Sequence, residues 1–368
     1  MKKSLIACIL YLPINVLFVD KYGTRVTELN YLIDLAYLLI GGGILYAVTS
    51  IHLPDRYYKI GLWVGSVIYF IAMGALQYAI DPMTVQVDRW SAIHYFLDNL
   101  LQGIYPYAAQ THLGGYGSPF PVWQLIHLPF YLIGNVGLSI FVFIGIFLLM
   151  IARYDSVRTA FIAFILIAIS PSFAYEITVR SDLVANFIGI LILCRWLQQQ
   201  HIRLNEHLLF IAVITGLCGS TRLSAVIPIA LLYGYEFLKL PWKKELYFIL
   251  VTISVWAATF LPFLLWDFNQ LLFFEYNPFV LQSRQGSPTV LFLFASIAIG
   301  LVIYQKDHLH DFYLHAGGLL TLLVVLTFGY NMFLSGNYVL YSCAYDITYF
   351  NMALPFYLYV IALNRINP

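Results

Sequence analysis

Long apolar stretches recur along nearly the whole chain and are separated by short polar segments. A helix needs about 20 residues to cross the hydrocarbon core of a bilayer. The pattern therefore predicts an all-α polytopic membrane protein. Several stretches are shorter than a straight crossing, so we expect some helix ends to lie below the interface beside a cavity. The stretches run near 5–19, 31–51, 60–80, 119–134, 136–152, 157–171, 183–197, 207–219, 223–238, 246–266, 289–304, 312–330 and 347–363.

The charges of the connecting segments predict the orientation of these helices. Short basic segments are cytoplasmic by the positive-inside rule, whereas the aromatic-rich segments 81–120, 267–288 and 331–346 are expected outside. With 119–134 as an interfacial helix and 136–152 as a crossing, the count is about 12 transmembrane helices in a single membrane domain, residues 1–368. The basic residues are Arg56, Lys59, Arg153, Arg158, Arg195, Arg203, Lys239, Lys243, Lys244, Lys306 and Arg365.

Composition narrows the function classes further. Hydrophobic residues make up 61% of the chain and charged residues 10%, whereas soluble domains carry about 25% charged residues. The net charge of +1 provides no basic excess for binding nucleic acid. The four cysteines have no metal-ligand spacing, so neither a zinc site nor a disulfide framework is predicted. Aromatic residues reach 17%, which exceeds the need of two interfacial belts and predicts a partly aromatic cavity.

The first external loop, 81–120, contains the leading candidate for chemistry. Residues 89–102 have apolar positions at helical spacing on one face, which predicts an amphipathic interfacial helix that Gly103 ends. Asp88 stands just before this helix. One interpretation makes Asp88 a general base that takes a proton from a hydroxyl, a contribution worth about 10²–10⁴ in rate. The other makes it a helix cap beside a solvent-facing Arg89.

Two further polar groups are predicted on the same side of the membrane. Segment 180–182 precedes an apolar helix, and its acid is interpreted either as cavity lining or as a helix cap. Arg222 lies between two short apolar runs and either binds an anion or snorkels to the outer interface. We favour anion binding, because an outward-facing Arg is uncommon and its planar guanidinium forms bidentate bonds with phosphate.

The remaining polar residues are interpreted as structural. The polar residues of 267–288 and 331–346 are expected to be solvated, although contact with substrate is the alternative. His94, His112 and His127 match no metal motif and are predicted to be partly buried or interfacial.

Four short motifs within residues 60–240 resemble those of one protein family. They are Asp88-Arg89, Gly103-Ile-Tyr-Pro-Tyr107, Ser118-Pro-Phe-Pro121 and Arg180-Ser-Asp182. In this order they resemble the integral-membrane glycosyltransferases of the C structural class, which use polyprenyl-phosphate sugars. The bacterial mannosyltransferase-like branch is the most similar.

The resemblance implies a site that opens at the outer face of the membrane. Asp88 would be the catalytic base, Asp182 would shape the cavity, and Arg180 or Arg222 would hold the lipid-linked phosphate. Many members of the family have paired acids in this loop. Here an arginine follows Asp88, so a metal-independent, inverting transfer without a cofactor is expected. The candidate substrate- and phosphate-binding residues are Arg89, Tyr105, Tyr107, Arg180, Asp182 and Arg222.

These expectations combine into one predicted function. The chain would transfer a sugar, with mannose as the first candidate, from polyprenyl phosphate to a cell-envelope glycan, lipid or protein. It would act in a bacterial inner membrane, with an apolar groove for the prenyl chain. One alternative is a transporter or flippase, but the sequence has no obvious repeat or mid-span coupling charge. The other is an acyltransferase with His94 or His127 as base, which lacks a companion Asn–His motif.

Overall fold

The computed structural model of the chain describes residues 2–283, 286–305, 311–342 and 346–363. The predicted cytoplasmic positions Lys306 and Arg365 lie outside the described residues, as do 284–285 and 343–345 of the outer segments. The described part is built from helices, and its only β pairing is an isolated bridge between Gln110 and Tyr116.

Eighteen α-helices follow one another along the described residues. They are α1 (Lys2–Gly23), α2 (Asn30–Ser50), α3 (Asp55–Ala79), α4 (Arg89–Gln102), α5 (Pro121–Ile126), α6 (Leu128–Leu132), α7 (Ser139–Tyr154), α8 (Val157–Ala168), α9 (Pro171–Thr178), α10 (Leu183–Gln199), α11 (Leu208–Gly219), α12 (Val226–Phe237), α13 (Trp242–Trp266), α14 (Phe268–Leu272), α15 (Pro278–Ser283), α16 (Pro288–Tyr304), α17 (Phe312–Ser335) and α18 (Leu354–Ala362).

The lengths and compositions of these helices define a membrane-embedded helical protein. Within the described ranges, six helices are long and apolar enough to cross a bilayer: α1, α2, α3, the segment ending in α7, α13 and α17. The bent pair α8–α9 would make a seventh, and five further apolar helices are shorter. The predicted number of about 12 crossings therefore stays a prediction. Segment 119–134 contains only the short helices α5 and α6.

The helices differ in what they pack against. The 18-residue apolar windows of α2 and α13 are only 11% buried, so most of their side chains are available to lipid. By contrast, nearly every residue of α18 is buried, as are most residues of α10. The protein core therefore lies around α10 and α18.

The break between α8 and α9 is stabilised by polar residues of α1. The two helices meet at an angle of 70°, which leaves backbone groups at the break without helical partners. The Asn15 side-chain oxygen accepts hydrogen bonds from the Ser170 hydroxyl and, at 3.3 Å, from the Ser172 N–H. The Tyr11 hydroxyl donates to the Leu166 carbonyl over 2.6 Å. These bonds satisfy buried groups that no water reaches.

The loop 81–120, which the sequence predicts to be external, contains the expected helix. Helix α4 covers Arg89–Gln102 and ends at Gly103, whose φ of 73° is the left-handed conformation that glycine adopts most readily. The apolar residues Trp90, Ile93 and Phe96 of α4 are buried. Asp88 occupies the cap position, yet its side chain makes no capping hydrogen bond. The carboxylate is therefore directed to another partner.

Candidate functional site

An ion pair joins Asp182 at the start of α10 to Arg222 in the segment between α11 and α12. Arg222 Nη2 donates to Asp182 Oδ2 over 2.6 Å, and Trp123 Nε1 donates to the same oxygen over 2.6 Å. The two charged side chains are only 7% and 2% exposed. Snorkelling is therefore wrong for Arg222. Asp182 stands at the N-cap position of α10, as the capping interpretation expected, but its side chain makes no capping hydrogen bond and is bonded to Arg222 and Trp123 instead.

The electrostatics of the pair favour the ionised acid. Burial alone would raise the pKa of Asp182, but Arg222 and Arg89 bring that pKa below its ordinary value. Asp182 Oδ1 and Arg222 Nε are buried without a hydrogen-bond partner. Unmet buried polar atoms cost about 1–3 kcal/mol each and are uncommon in folded proteins. Asp182 Oδ2 therefore accepts two hydrogen bonds, whereas Asp182 Oδ1 and Arg222 Nε have no hydrogen-bond partner.

Arg222 also lines a cavity of about 360 Å³. Most of the cavity wall is apolar and comes from α10, α12, α16 and α17, with Leu183, Ile227 and Phe294 as examples. Among the described residues of the wall, Arg222 is the only charged one. The cavity is therefore mostly apolar, and among its described residues one guanidinium contributes a charge.

The cavity wall continues onto the apolar outer surface of the protein. Leu223 and Leu291 both line the cavity and are 47% and 48% exposed. The two loops that the sequence predicts to be external meet at the same place, where Gln282 Nε2 donates to the Ser118 carbonyl over 2.8 Å. Gln282 and Ser118 also line the cavity. The loop 267–288 is therefore part of the site.

Arg89 forms ion pairs with acidic residues and is largely buried. The interpretation of Asp88 as a helix cap expected Arg89 to face solvent, so that expectation is wrong. Arg89 Nη2 donates to Asp346 Oδ2 over 2.8 Å and to Thr348 Oγ1 over 2.6 Å, while Nη1 lies 4.0 Å from Glu176 Oε1. Burial opposes the charge, but the acids raise the pKa of Arg89. The guanidinium lies 5.2 Å from the centre of the Tyr349 ring, which lines the cavity. Arg89 therefore ties α4 to the cavity wall.

Glu176 belongs to this cluster and was missed by the sequence analysis. Its side chain is fully buried and accepts hydrogen bonds from Asn351 Nδ2 at 2.9 Å and from the Val184 N–H at 3.3 Å. The available signal was a single acid in a mainly apolar helix, where a charge is costly. Asp346 was interpreted as a solvated loop residue; its side chain is 42% exposed, and it also forms an ion pair with Arg89 that the sequence did not predict.

The Asp88 carboxylate contacts the loop segment that precedes the cavity residue Ser118. Its Oδ2 accepts a hydrogen bond from Thr111 Oγ1 at 3.0 Å, and a Cβ added to Gly115 would lie 3.0 Å from the same oxygen. Ser118 lines the cavity and follows Gly115 by three residues, a distance of at most about 11 Å along the chain. Asp88 has no direct hydrogen bond or ion pair with Arg222 among the described contacts.

Of the seven candidate residues, only Arg222 is among the described residues that line the cavity, and three of the others remain to be placed. Arg180 has a φ of 56° and donates from Nη2 to the Gln77 carbonyl over 3.1 Å, and burial lowers its pKa. Tyr107 donates to the Pro119 carbonyl over 3.3 Å. The Tyr105 hydroxyl is buried without a partner. None of the three is among the described residues of the cavity wall.

His127 is buried, as the sequence analysis expected. Its Nδ1 lies 2.8 Å from the Trp123 carbonyl and its Nε2 lies 3.0 Å from Ser139 Oγ, so both ring nitrogens are occupied. Burial lowers the pKa of His127. These contacts do not suit the base of an acyltransferase. Within the described residues, no group of three or more His, Cys, Asp and Glu could hold a metal ion.

Comparisons with known proteins found no match to this chain. It matches no protein-family model, no curated protein and no solved structure. The resemblance to the C-class glycosyltransferases therefore rests on the four short motifs alone.

Proposed function

We propose that the chain is a membrane glycosyltransferase that uses a polyprenyl-phosphate sugar. The observation that carries the proposal is the guanidinium of Arg222, the one charged group among the described residues that line a mostly apolar cavity. A polyprenyl-phosphate donor has the matching chemistry, an isoprenoid chain joined to one anionic group. Arg222 would bind the phosphate through its charge and its donor geometry, while the apolar wall would bury part of the prenyl chain.

The proposed reaction transfers the sugar in one inverting step. The acceptor hydroxyl oxygen attacks the anomeric carbon, the bond from that carbon to the phosphate oxygen breaks, and polyprenyl phosphate leaves with the electron pair. Asp88 receives the acceptor proton. Arg222 stabilises the charge on the departing phosphate. The half-buried carboxylate of Asp88 supports this assignment, because it contacts the loop segment around Thr111 and Gly115 that leads to the cavity residue Ser118.

Several finer points belong to the same proposal. Mannose is the first donor sugar, the acceptor is a cell-envelope glycan, lipid or protein, and the site faces the outside of a bacterial inner membrane. No step requires a metal. Arg89 serves to hold α4 rather than to bind phosphate, since Asp346 and Thr348 accept from its Nη2 and Ser181 Oγ accepts from its Nη1 at 3.4 Å.

A binding experiment tests the role of Arg222. Full-length protein in lipid nanodiscs is titrated with a polyprenyl-phosphate mannose and with the matching polyprenol, which lacks the phosphate. Arg222→Lys should bind the phosphate donor at least about 10-fold more weakly, because it keeps the charge but loses the fork. The matched control is Arg195→Lys, which changes an Arg that is 2.8 Å from Asp155 and does not line the cavity. Equal donor affinity in wild type and Arg222→Lys would contradict the assignment.

The bent pair α8–α9 favours one alternative, a transporter or flippase. Broken helices with a buried acid form substrate sites in many transporters, and Glu176 lies just after the 70° bend. Proteoliposomes loaded with a fluorescent lipid-linked sugar distinguish the two functions. Movement across the bilayer without covalent transfer would support the alternative.

A further inference from the structure

Three aromatic side chains meet where the loops 81–120 and 267–288 come together. The Tyr116 and Tyr276 rings are stacked, with their centres 5.5 Å apart and their planes inclined by 8°. The Phe274 ring stands edge-on to both, at 4.9 Å from Tyr116 and 5.8 Å from Tyr276. We call these three residues the aromatic triad. Tyr276 is 42% exposed, so the triad presents an aromatic ring, fixed by its neighbours, at the surface of the protein.

A short hairpin connects the aromatic triad to Asp88. Tyr116 pairs with Gln110 in an isolated β-bridge, and Gln110 Nε2 donates to the Tyr116 hydroxyl over 2.9 Å. Inside the hairpin, the Thr111 N–H donates to the Gly115 carbonyl over 2.8 Å. Thr111 also bonds to the Asp88 carboxylate, and a Cβ added to Gly115 would lie 3.0 Å from the same group. Because consecutive Cα atoms are about 3.8 Å apart, the triad begins one residue from the segment that contacts the candidate base.

The aromatic triad and its surroundings have the chemistry of a carbohydrate site. One face of a hexose ring carries mainly C–H groups, whose slight positive charge suits the negative face of an aromatic ring. The rim of the hexose carries hydroxyls, which need hydrogen-bond donors and acceptors. The Tyr276 hydroxyl and the exposed Gln110 amide offer both, since an amide has two N–H donors and a carbonyl acceptor. Gln110 can therefore bond to a sugar while it bonds to Tyr116.

A lipid chain suits this surface less well than a sugar. Glu275 lies between Phe274 and Tyr276 in the sequence and is exposed, as is Gln110. A carboxylate in contact with hydrocarbon is costly. The combination of rings with an acid and an amide therefore favours a carbohydrate over an acyl chain.

We propose that the aromatic triad binds a sugar ring of the acceptor, which makes the acceptor a glycan. The proposal rests on the proposed function, in which the donor phosphate binds Arg222 and Asp88 receives the acceptor proton. No residue of the triad is among the described residues of the cavity wall, so the triad is separate from the donor cavity. It adjoins the hairpin that contacts Asp88, and Asp88 is the group to which the acceptor hydroxyl must lose its proton.

Saturation-transfer NMR tests sugar binding without requiring catalysis. Full-length protein in nanodiscs is mixed with mannotriose, maltotriose or chitotriose, and its aromatic protons are irradiated, with empty nanodiscs as the background. At least one of the sugars should receive saturation on its ring C–H protons. Tyr276→Ala should lower that signal by about 5-fold or more, because the stacking ring is lost. Tyr276→Phe keeps the ring and should retain most of the signal.

The matched control is Tyr247→Ala. Tyr247 is 45% exposed, close to the 42% of Tyr276, but it lies near the start of α13, at the other end of that helix from the loop 267–288. This variant should give the wild-type signal. No signal from any of the three sugars, or an equal loss in Tyr276→Ala and Tyr247→Ala, would overturn the proposal.

Sugar transfer tests whether the bound glycan is the acceptor. With a cell-envelope extract as acceptor, Tyr276→Ala should raise the extract concentration that gives half-maximal rate by about 5-fold. KM for the donor should stay constant, because Arg222 is unchanged. Linkage analysis of the product should find the transferred sugar on a sugar hydroxyl. Transfer to a lipid alcohol or to a protein side chain would overturn the proposal.

The two measurements separate this proposal from the proposed function. If sugars bind through Tyr276 but the wild type transfers nothing, the acceptor role is lost together with the glycosyltransferase function, and a carbohydrate site remains. If the wild type transfers sugar and Tyr276→Ala matches it in binding and in transfer, the role of the aromatic triad is refuted and the proposed function stands.

Discussion

Arg222 donates a 2.6 Å hydrogen bond to Asp182, 40 residues earlier in the chain, and both side chains are almost fully buried. The pair joins the segment after α11 to the start of α10. Because Arg222 also lines the cavity, one guanidinium stabilises the fold and presents positive charge to an apolar chamber. An anion that enters the cavity would meet the guanidinium of Arg222, which Asp182 already holds in position.

Breaking this pair on one side should destabilise the protein strongly. Arg222→Ala leaves the Asp182 carboxylate buried without its cation, and such losses cost about 3–5 kcal/mol. The double variant Asp182→Asn/Arg222→Gln should recover part of that cost. Unfolding in mixed micelles with increasing denaturing detergent gives the free energies. Lys244→Ala, an exposed control, should change stability by less than about 1 kcal/mol. A similarly small loss in Arg222→Ala would refute a tight buried pair.

Acid should reveal the contribution of Asp182. Its folded pKa is lowered, so the ionised carboxylate stabilises the fold above the unfolded pKa of about 3.9, and this stability is lost as pH falls through the lower folded value. The difference in melting temperature between wild type and Asp182→Asn should be constant from pH 8 to about pH 5 and shrink below about pH 4. A difference that shrinks between pH 8 and pH 6 would indicate another titrating group.

Asn15 should be needed for the break between α8 and α9. Asn15→Ala removes the acceptor of the Ser170 hydroxyl and the Ser172 N–H, and unmet buried groups cost about 1–3 kcal/mol. The same detergent unfolding measures the loss. Asn205→Ala is the control, because Asn205 is exposed and only accepts from Lys244. Equal stability of the two variants would show that the break does not depend on α1.

Gly115 should be a sensitive position for activity. In Gly115→Ala the new Cβ would lie 3.0 Å from Asp88 Oδ2 and 3.4 Å from Thr111 Oγ1, so the carboxylate must shift. We expect kcat to fall by about 10-fold or more with little change in unfolding. Gly74→Ala is the control, since no atom lies within 4 Å of its added Cβ. Full activity of Gly115→Ala would argue against Asp88 as the base.

Local features of the fold followed well from the sequence. Apolar runs became helices because an unpaired backbone is costly in lipid. The bounds of α4 followed from its apolar periodicity and from Gly103, both of which act over a few residues. The number of crossings stays a prediction, because five of the apolar helices are shorter than the six that could span a bilayer by length and composition.

The partners of the polar residues could not be predicted in the same way. Arg89 meets Asp346 across 257 residues, and Glu176 meets Asn351 across 175. No local pattern encodes such distant pairs. The sequence indicated that Arg222 is a charged residue between two short apolar runs. Its pairing with Asp182 could not be predicted, because it depends on how α10 packs beside the segment after α11. The bond from Arg180 to the Gln77 carbonyl was not predicted for the same reason, because the two residues are 103 positions apart in the chain.

The most direct test of the central claim is sugar transfer itself. Purified full-length protein in nanodiscs is given polyprenyl-phosphate-[¹⁴C]mannose and a cell-envelope lipid and glycan extract, and radiolabelled product is measured in wild type and Asp88→Asn. Wild type should give labelled product, and a folded Asp88→Asn variant should transfer the sugar about 10²–10⁴-fold more slowly. Transfer by Asp88→Asn at the wild-type rate, or no transfer by wild type with mannose or glucose donors, would contradict the central claim.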